Sequence, residues 1–168
     1  MKPVFTLVVT IQVVYLLFVA YTIQLGVYGM LSTPESLERH VSVVQYLKLA
    51  LAAGTLSYFL ILLRYFRLRA EGRASALFGA FVFALVALHV LTGAIAAFKS
   101  QVVFPFVIAG FAYFLATRRL PVRFVALAAV ALIAAYETVE PLRAYISYRG
   151  EPPNSFFQAV EALGTAYA

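Results

Sequence analysis

From Val4 to Leu25 the chain runs without one Asp, Glu, Lys, Arg or His, and further apolar runs follow it as far as Leu142. A helix rises about 1.5 Å per residue, so about 20 apolar residues cross the roughly 30 Å hydrocarbon layer of a bilayer. Lipid offers the backbone no hydrogen bonds, so runs of this kind must fold as helices that satisfy themselves. Composition agrees. The chain is 64% apolar and 12% charged, with a mean hydropathy of +0.92, whereas soluble domains are about 45–50% apolar and about 25% charged. A surface that greasy has lipid as its solvent.

The runs predict an all-α integral membrane bundle of about five transmembrane helices, over about residues 4–25, 41–63, 74–98, 102–117 and 124–142. Residues 1–168 then form one transmembrane domain, with a tail over 143–168 that contains Glu151-Pro152-Pro153-Asn154 and a short amphipathic piece at 156–163. The first run is too long for a signal-peptide core. Gly26, Tyr28 and Gly29 follow it where a small-residue cleavage site would stand, so it is expected to be retained. Ser32-Thr33-Pro34-Glu35 reads as a helix start: a hydroxyl cap, a proline in the first turn and an acid at the positive dipole end. Lys99-Ser100-Gln101 reads as a tight turn, and Gly54 as a point of close packing.

Charge sets the expected orientation. With the N-terminus inside, Lys2, Arg64, Arg67, Arg69, Arg73, Arg118, Arg119 and Arg123 share the inner side, in short dense loops. Arg39, Lys48, Lys99, Arg143 and Arg149 lie outside. The reading is N-terminus in and C-terminus out, in a cell membrane of the bacterial inner-membrane kind. The net charge of +6 is accounted for by these helix ends and by anionic headgroups, so no nucleic-acid partner is implied. The absence of cysteine excludes thiolate metal sites, disulfides and cysteine nucleophiles.

Ionisable groups in or near spans point to function, because burying a charge in hydrocarbon costs several kcal/mol unless it is paired or wet. Arg39, His40 and Lys48 open the second span; His89 lies deeper in the third, which Lys99 closes; Glu137, Glu140 and Arg143 end the fifth. They describe an outer-headgroup site in which Arg39, Lys48, Lys99 and Arg143 grip phosphates while His89, Glu137 or Glu140 handles a proton. Interfacial snorkelling is the plainer reading of the same cations. Glu137 and Glu140 are not adjacent and no suitably spaced histidines accompany them, which excludes the pattern of CAAX-type membrane proteases. His40 and His89 stand about 10 Å apart in depth, so neither metal nor haem is expected; a lone membrane histidine more often bonds a neighbouring helix. Tyr58, Tyr65, Phe66 and Tyr113 suit lipid contact and an interfacial belt.

From His89 to about Ser147, Lys99-Ser100, the span containing Pro105, Arg118-Arg119-Leu120-Pro121 and Pro141-Leu142-Arg143 follow one another. This order resembles a central segment of the Wzy-type polymerases of bacterial polysaccharide repeat units, in which a basic turn, a short span, a basic-Leu-Pro loop and a span ending near an arginine recur. Ala97-Phe98 and Gln101 depart from the small residues and the glycine of that turn, and the family commonly has ten or more spans. The resemblance implies a partial relative acting on a lipid-diphosphate-linked glycan at the outer face, with Lys99 and Arg143 as ligands and no cofactor. The protein would stabilise the diphosphate leaving group and position an acceptor hydroxyl. Two other readings stand beside it: a non-catalytic subunit packed on other membrane proteins or on itself, and a small transporter component, the latter drawn from Pro105 and the buried polar groups.

Overall fold

Six helices build the computed structural model, which describes residues 2–29, 32–96 and 98–149, with the side chains of 3–137 among them. They are α1 (Lys2–Gln24), α2 (Pro34–Arg39), α3 (Val41–Ala70), α4 (Ala76–Ile95), α5 (Lys99–Thr117) and α6 (Val122–Arg149), with no strand among the described residues. The fold is an all-α helical bundle of about five spans, as the apolar runs predict. α1, α3, α4 and α5 are each long and apolar enough to cross a bilayer. α3, at 30 residues, is about 45 Å long. That exceeds the roughly 30 Å hydrocarbon layer of a bilayer.

Local signals explain the boundaries. Thr33 caps α2 in a reciprocal box: its hydroxyl accepts from the Ser36 N–H at 3.1 Å, and its own N–H donates to Ser36 Oγ at 3.0 Å. His40 separates α2 from α3. Ser75 caps α4 by accepting from Phe78 N–H. Three sequence expectations are corrected. Lys99-Ser100-Gln101 is not a turn but the first turn of α5, because Phe98 already stands in extended conformation as its N-cap. The 102–117 span therefore starts earlier and is less short than it looked. The last helix does not stop at Leu142. It runs through Pro141 to Arg149, so the residues from 143 to 149 are helix, and 150–168 lie outside the described residues.

Packing uses close approach. Water drives no association between helices in lipid, so contact depends on small residues that let backbones and rings meet. α1 packs on α3, α3 on α5, α4 on α5 and α5 on α6. A Cβ at Gly54 of α3 would overlap the Tyr15 ring of α1, and one at Gly93 of α4 would come within 2.6 Å of the Gln101 carbonyl group of α5. Gly110 of α5 leaves 3.1 Å to Phe124 of α6.

The antiparallel alternation gathers the helix ends. Phe5 of α1 meets Phe78 of α4 edge-on at 5.6 Å, and Arg64 of α3 sits 4.3 Å above the Phe5 ring. Phe66 of α3 meets Tyr113 of α5 and Phe124 of α6 at 5.4 and 5.5 Å. One end of the bundle is thus an aromatic cluster to which all five long helices contribute, and Arg64, Arg67, Arg69, Arg73, Arg118, Arg119 and Arg123 belong to it. Lys99 and α2 belong to the opposite end. Phe66 is buried in this cluster and not in lipid contact.

Gly54→Leu is expected to lower the unfolding free energy in detergent by about 2 kcal/mol or more, through overpacking against Tyr15. Gly72→Ala has open space around it and only its φ of +70° to oppose it, so it is expected to cost about 1 kcal/mol. Thermal or denaturant unfolding of the two variants checks the contrast.

Candidate functional site

Three helices contribute a polar side chain to one buried point. Gln12 of α1 is 1% exposed and Ser57 of α3 is 3% exposed. Ser57 Oγ–H donates to Gln12 Oε1 at 2.7 Å, and Gln12 Nε2 lies 2.9 Å from His89 Nε2 of α4. An amide nitrogen can only donate, so with Gln12 in this orientation His89 Nε2 is an acceptor. In that arrangement the imidazole is neutral and carries its proton on Nδ1. Two aromatic rings hold it in place: Tyr58 at 4.3 Å and Tyr15, stacked, at 5.6 Å between centroids.

His89 is also a wall of a cavity of about 180 Å³. Tyr15, Tyr28, Thr55, Tyr58, Thr92 and Gln101 supply its other polar groups, while Leu51, Phe104 and Ile108 supply apolar surface. Several of these groups are already committed. Tyr58 donates its hydroxyl proton to the Pro105 carbonyl at 3.2 Å, and Thr92 donates to the His89 carbonyl at 3.0 Å. Tyr28 reaches Gln101 Oε1 at 3.5 Å. Burial pushes the Tyr28 phenol above its usual range, so it stays protonated and remains a donor. Pro105 lacks an N–H, which frees the Gln101 carbonyl from the helical ladder at the point where Gly93 lets α4 close in. The cavity lies in the half of the bundle away from the arginines. His89 is six residues from the end of α4, or about 9 Å deep. Phe104, 52% exposed, is both a cavity wall and part of the outer surface of α5.

The sequence-predicted residues divide. His89 is at the centre of the site, bonded to a neighbouring helix. Among the described residues no Asp, Glu, Lys or Arg lines the cavity. Arg39 pairs with Glu35 at 2.6 Å on the exposed face of α2, an i,i+4 bridge worth little in stability. Lys48 is exposed on α3. Lys99 holds its ammonium 3.5 Å from the centre of the Tyr136 ring of α6, beside the exposed Glu137. The backbones of Glu140 and Arg143 are helical; their side chains lie outside the described residues. His40, at the α2–α3 junction, is not among the cavity walls, so the two histidines do not share a site.

Sequence reading passed over Gln12, Tyr15, Tyr28, Ser57, Tyr58, Thr92 and Gln101 as site residues. Tyr58, expected in lipid contact, is 1% exposed. The one available signal was Gln12 itself, a full amide in the middle of a span, which hydrocarbon does not tolerate unpaired.

A double-mutant cycle of Gln12→Leu and Ser57→Ala is expected to show coupling of about 0.5–1.5 kcal/mol, the usual size for interhelical hydrogen bonds in membranes. Unfolding in mixed micelles measures it, and additive effects would mean that the two side chains do not act together. No family model matches the chain, and neither a curated protein nor a solved structure matches it.

Proposed function

We propose that this protein is a membrane-embedded binding protein that takes a small uncharged, ring-sized molecule from the lipid phase into the cavity beside His89. The observation that carries this reading is the cavity itself: neutral polar groups and aromatic rings inside a bundle of long apolar helices, with Phe104 both a wall and part of the outer surface. An engineered cavity of about 150 Å³ binds benzene, so 180 Å³ has room for a six-membered ring with substituents. Convergent polar groups in an otherwise apolar pocket are what fix a ligand's orientation. The absence of any Lys or Arg from the described cavity walls favours this ligand class over a lipid diphosphate. Lys99, which the likeness to polysaccharide polymerases would assign to such a diphosphate, instead lies over Tyr136 at the bundle end.

The orientation that suits this reading has the arginine-rich end in the cytoplasm of a prokaryotic cell and the cavity in the outer half of its membrane. The chain has no cysteine, which makes the orientation simple to measure. Gly72→Cys is expected to react with a membrane-impermeant maleimide only after cells are opened, and Ser100→Cys in intact cells. The opposite pattern reverses the orientation.

Leu51→Trp tests the cavity. Leu51 is a half-buried wall residue, and the larger ring fills the space while adding a fluorophore to a chain without tryptophan. Wild-type protein in lipid nanodiscs is expected to bind toluene above the partitioning seen in empty nanodiscs. Leu51→Trp is expected to lose that binding at least tenfold while keeping wild-type helicity. Calorimetry that finds no toluene bound by the wild type rejects the cavity as a ligand site.

A further inference from the structure

We infer that the ligand of this cavity is a ring bearing carbonyl oxygens, the chemical class of the quinones, held through His89 Nδ1–H. This rests on the binding reading above and names its ligand. With the Gln12 amide turned so that Oε1 accepts from Ser57 and Nε2 donates to His89 Nε2, the ring proton lies on Nδ1. Among the described residues Nδ1 has no partner and no buried side-chain nitrogen or oxygen goes unsatisfied, so Nδ1 borders open space, and His89 is a wall of the cavity.

A second donor stands nearby. Gln101 uses Oε1 to accept from Tyr28, and its amide N–H groups likewise have no partner among the described residues. Tyr58 and Thr92 spend their protons on the Pro105 and His89 carbonyls. The unspent polar groups of His89 and Gln101 are neutral N–H donors, the Thr55 hydroxyl on the same wall can donate as well as accept, and no carboxylate competes for them at the described walls. A pocket of unspent neutral donors in lipid selects a neutral acceptor. Carbonyl oxygens on a planar ring meet that need, and the π faces of Tyr15 and Tyr58 suit a flat ring. The apolar walls Leu51, Phe104 and Ile108 suit an apolar substituent, and Phe104 also belongs to the outer surface.

Gln12 and Ser57 are positioning residues. They touch no ligand, and they act by holding the His89 tautomer. Without them the ring is free to present Nδ1 as an acceptor, and the preference for carbonyl oxygen is expected to fall.

Two probes separate this inference from the reading on which it rests: a benzoquinone with one isoprene unit, and the hydrocarbon of the same ring and tail without the oxygens. Calorimetry in nanodiscs, corrected for empty discs, is expected to give the quinone at least tenfold tighter binding to the wild type. His89→Phe is expected to abolish that preference while changing hydrocarbon binding less than twofold. Gln101→Leu, on the cavity wall at the start of α5, is expected to weaken the quinone about fivefold, and it serves if His89→Phe does not fold. Equal binding of both probes to the wild type, or an unchanged preference in both variants, overturns the quinone assignment and leaves the cavity reading intact. Binding of neither probe removes both.

Discussion

A polar side chain in the middle of a membrane span has no solvent to turn to, and Gln12 is the clearest case in this protein. Its amide needs both an acceptor and a donor, and hydrocarbon supplies neither. Ser57 and His89 supply them from two other helices. That requirement sets the rotation of α1. With Gln12 inward, Tyr15, Val19, Thr22 and Ile23 follow at helical spacing into the buried face, and Val4, Leu7, Val14 and Leu17 are left toward lipid. The same bonds turn Ser57 of α3 and His89 of α4 toward α1, and Gly54, one turn before Ser57, then lies under the Tyr15 ring. Much of the cavity geometry follows from satisfying one amide.

The two halves of the bundle are built differently. At the arginine-rich end, rings from all five long helices interlock, with Phe66 between Tyr113 and Phe124, and Tyr65 beside Phe78. Large rigid side chains fill that end. In the other half, Gly54 and Gly93 admit close approach, Pro105 interrupts the ladder of α5, and polar groups replace bulk. Tightly packed rings close one end of a bundle. Polar groups that must reach one another leave gaps in the other, and the cavity occupies such a gap.

Charge and chemistry are segregated accordingly. Cations decorate helix ends, where Arg64 and Lys99 lie over the rings of Phe5 and Tyr136 with their charges near water. The interior uses neutral hydrogen bonds. For a lipid-facing site this is economical physics: a neutral imidazole held by a neutral amide avoids the desolvation cost of an ion, and it still presents a directed N–H.

Helices, their number and the segregation of arginines were legible in the sequence, because hydrocarbon imposes a length and a self-bonded backbone on every apolar run, and charges collect where the runs end. The Thr33 cap and the Gly54 contact were legible for similarly local reasons. The inward faces were not. In water a helix declares its buried side by its apolar stripe, but in lipid both sides are apolar, so Tyr58 and Phe66 read as lipid contacts when they are core. The continuation of α6 past Pro141 and the helical start at Lys99 were likewise hidden, since proline and polar residues mark a boundary only when nothing else favours the helix. Sequence alone determined a bundle of about five helices, most of them long and apolar enough to cross a bilayer, with one arginine-rich end. Only tertiary structure decided that Gln12, Ser57 and His89 meet beside an uncharged cavity, because which polar groups become partners depends on how separate helices are rotated against each other.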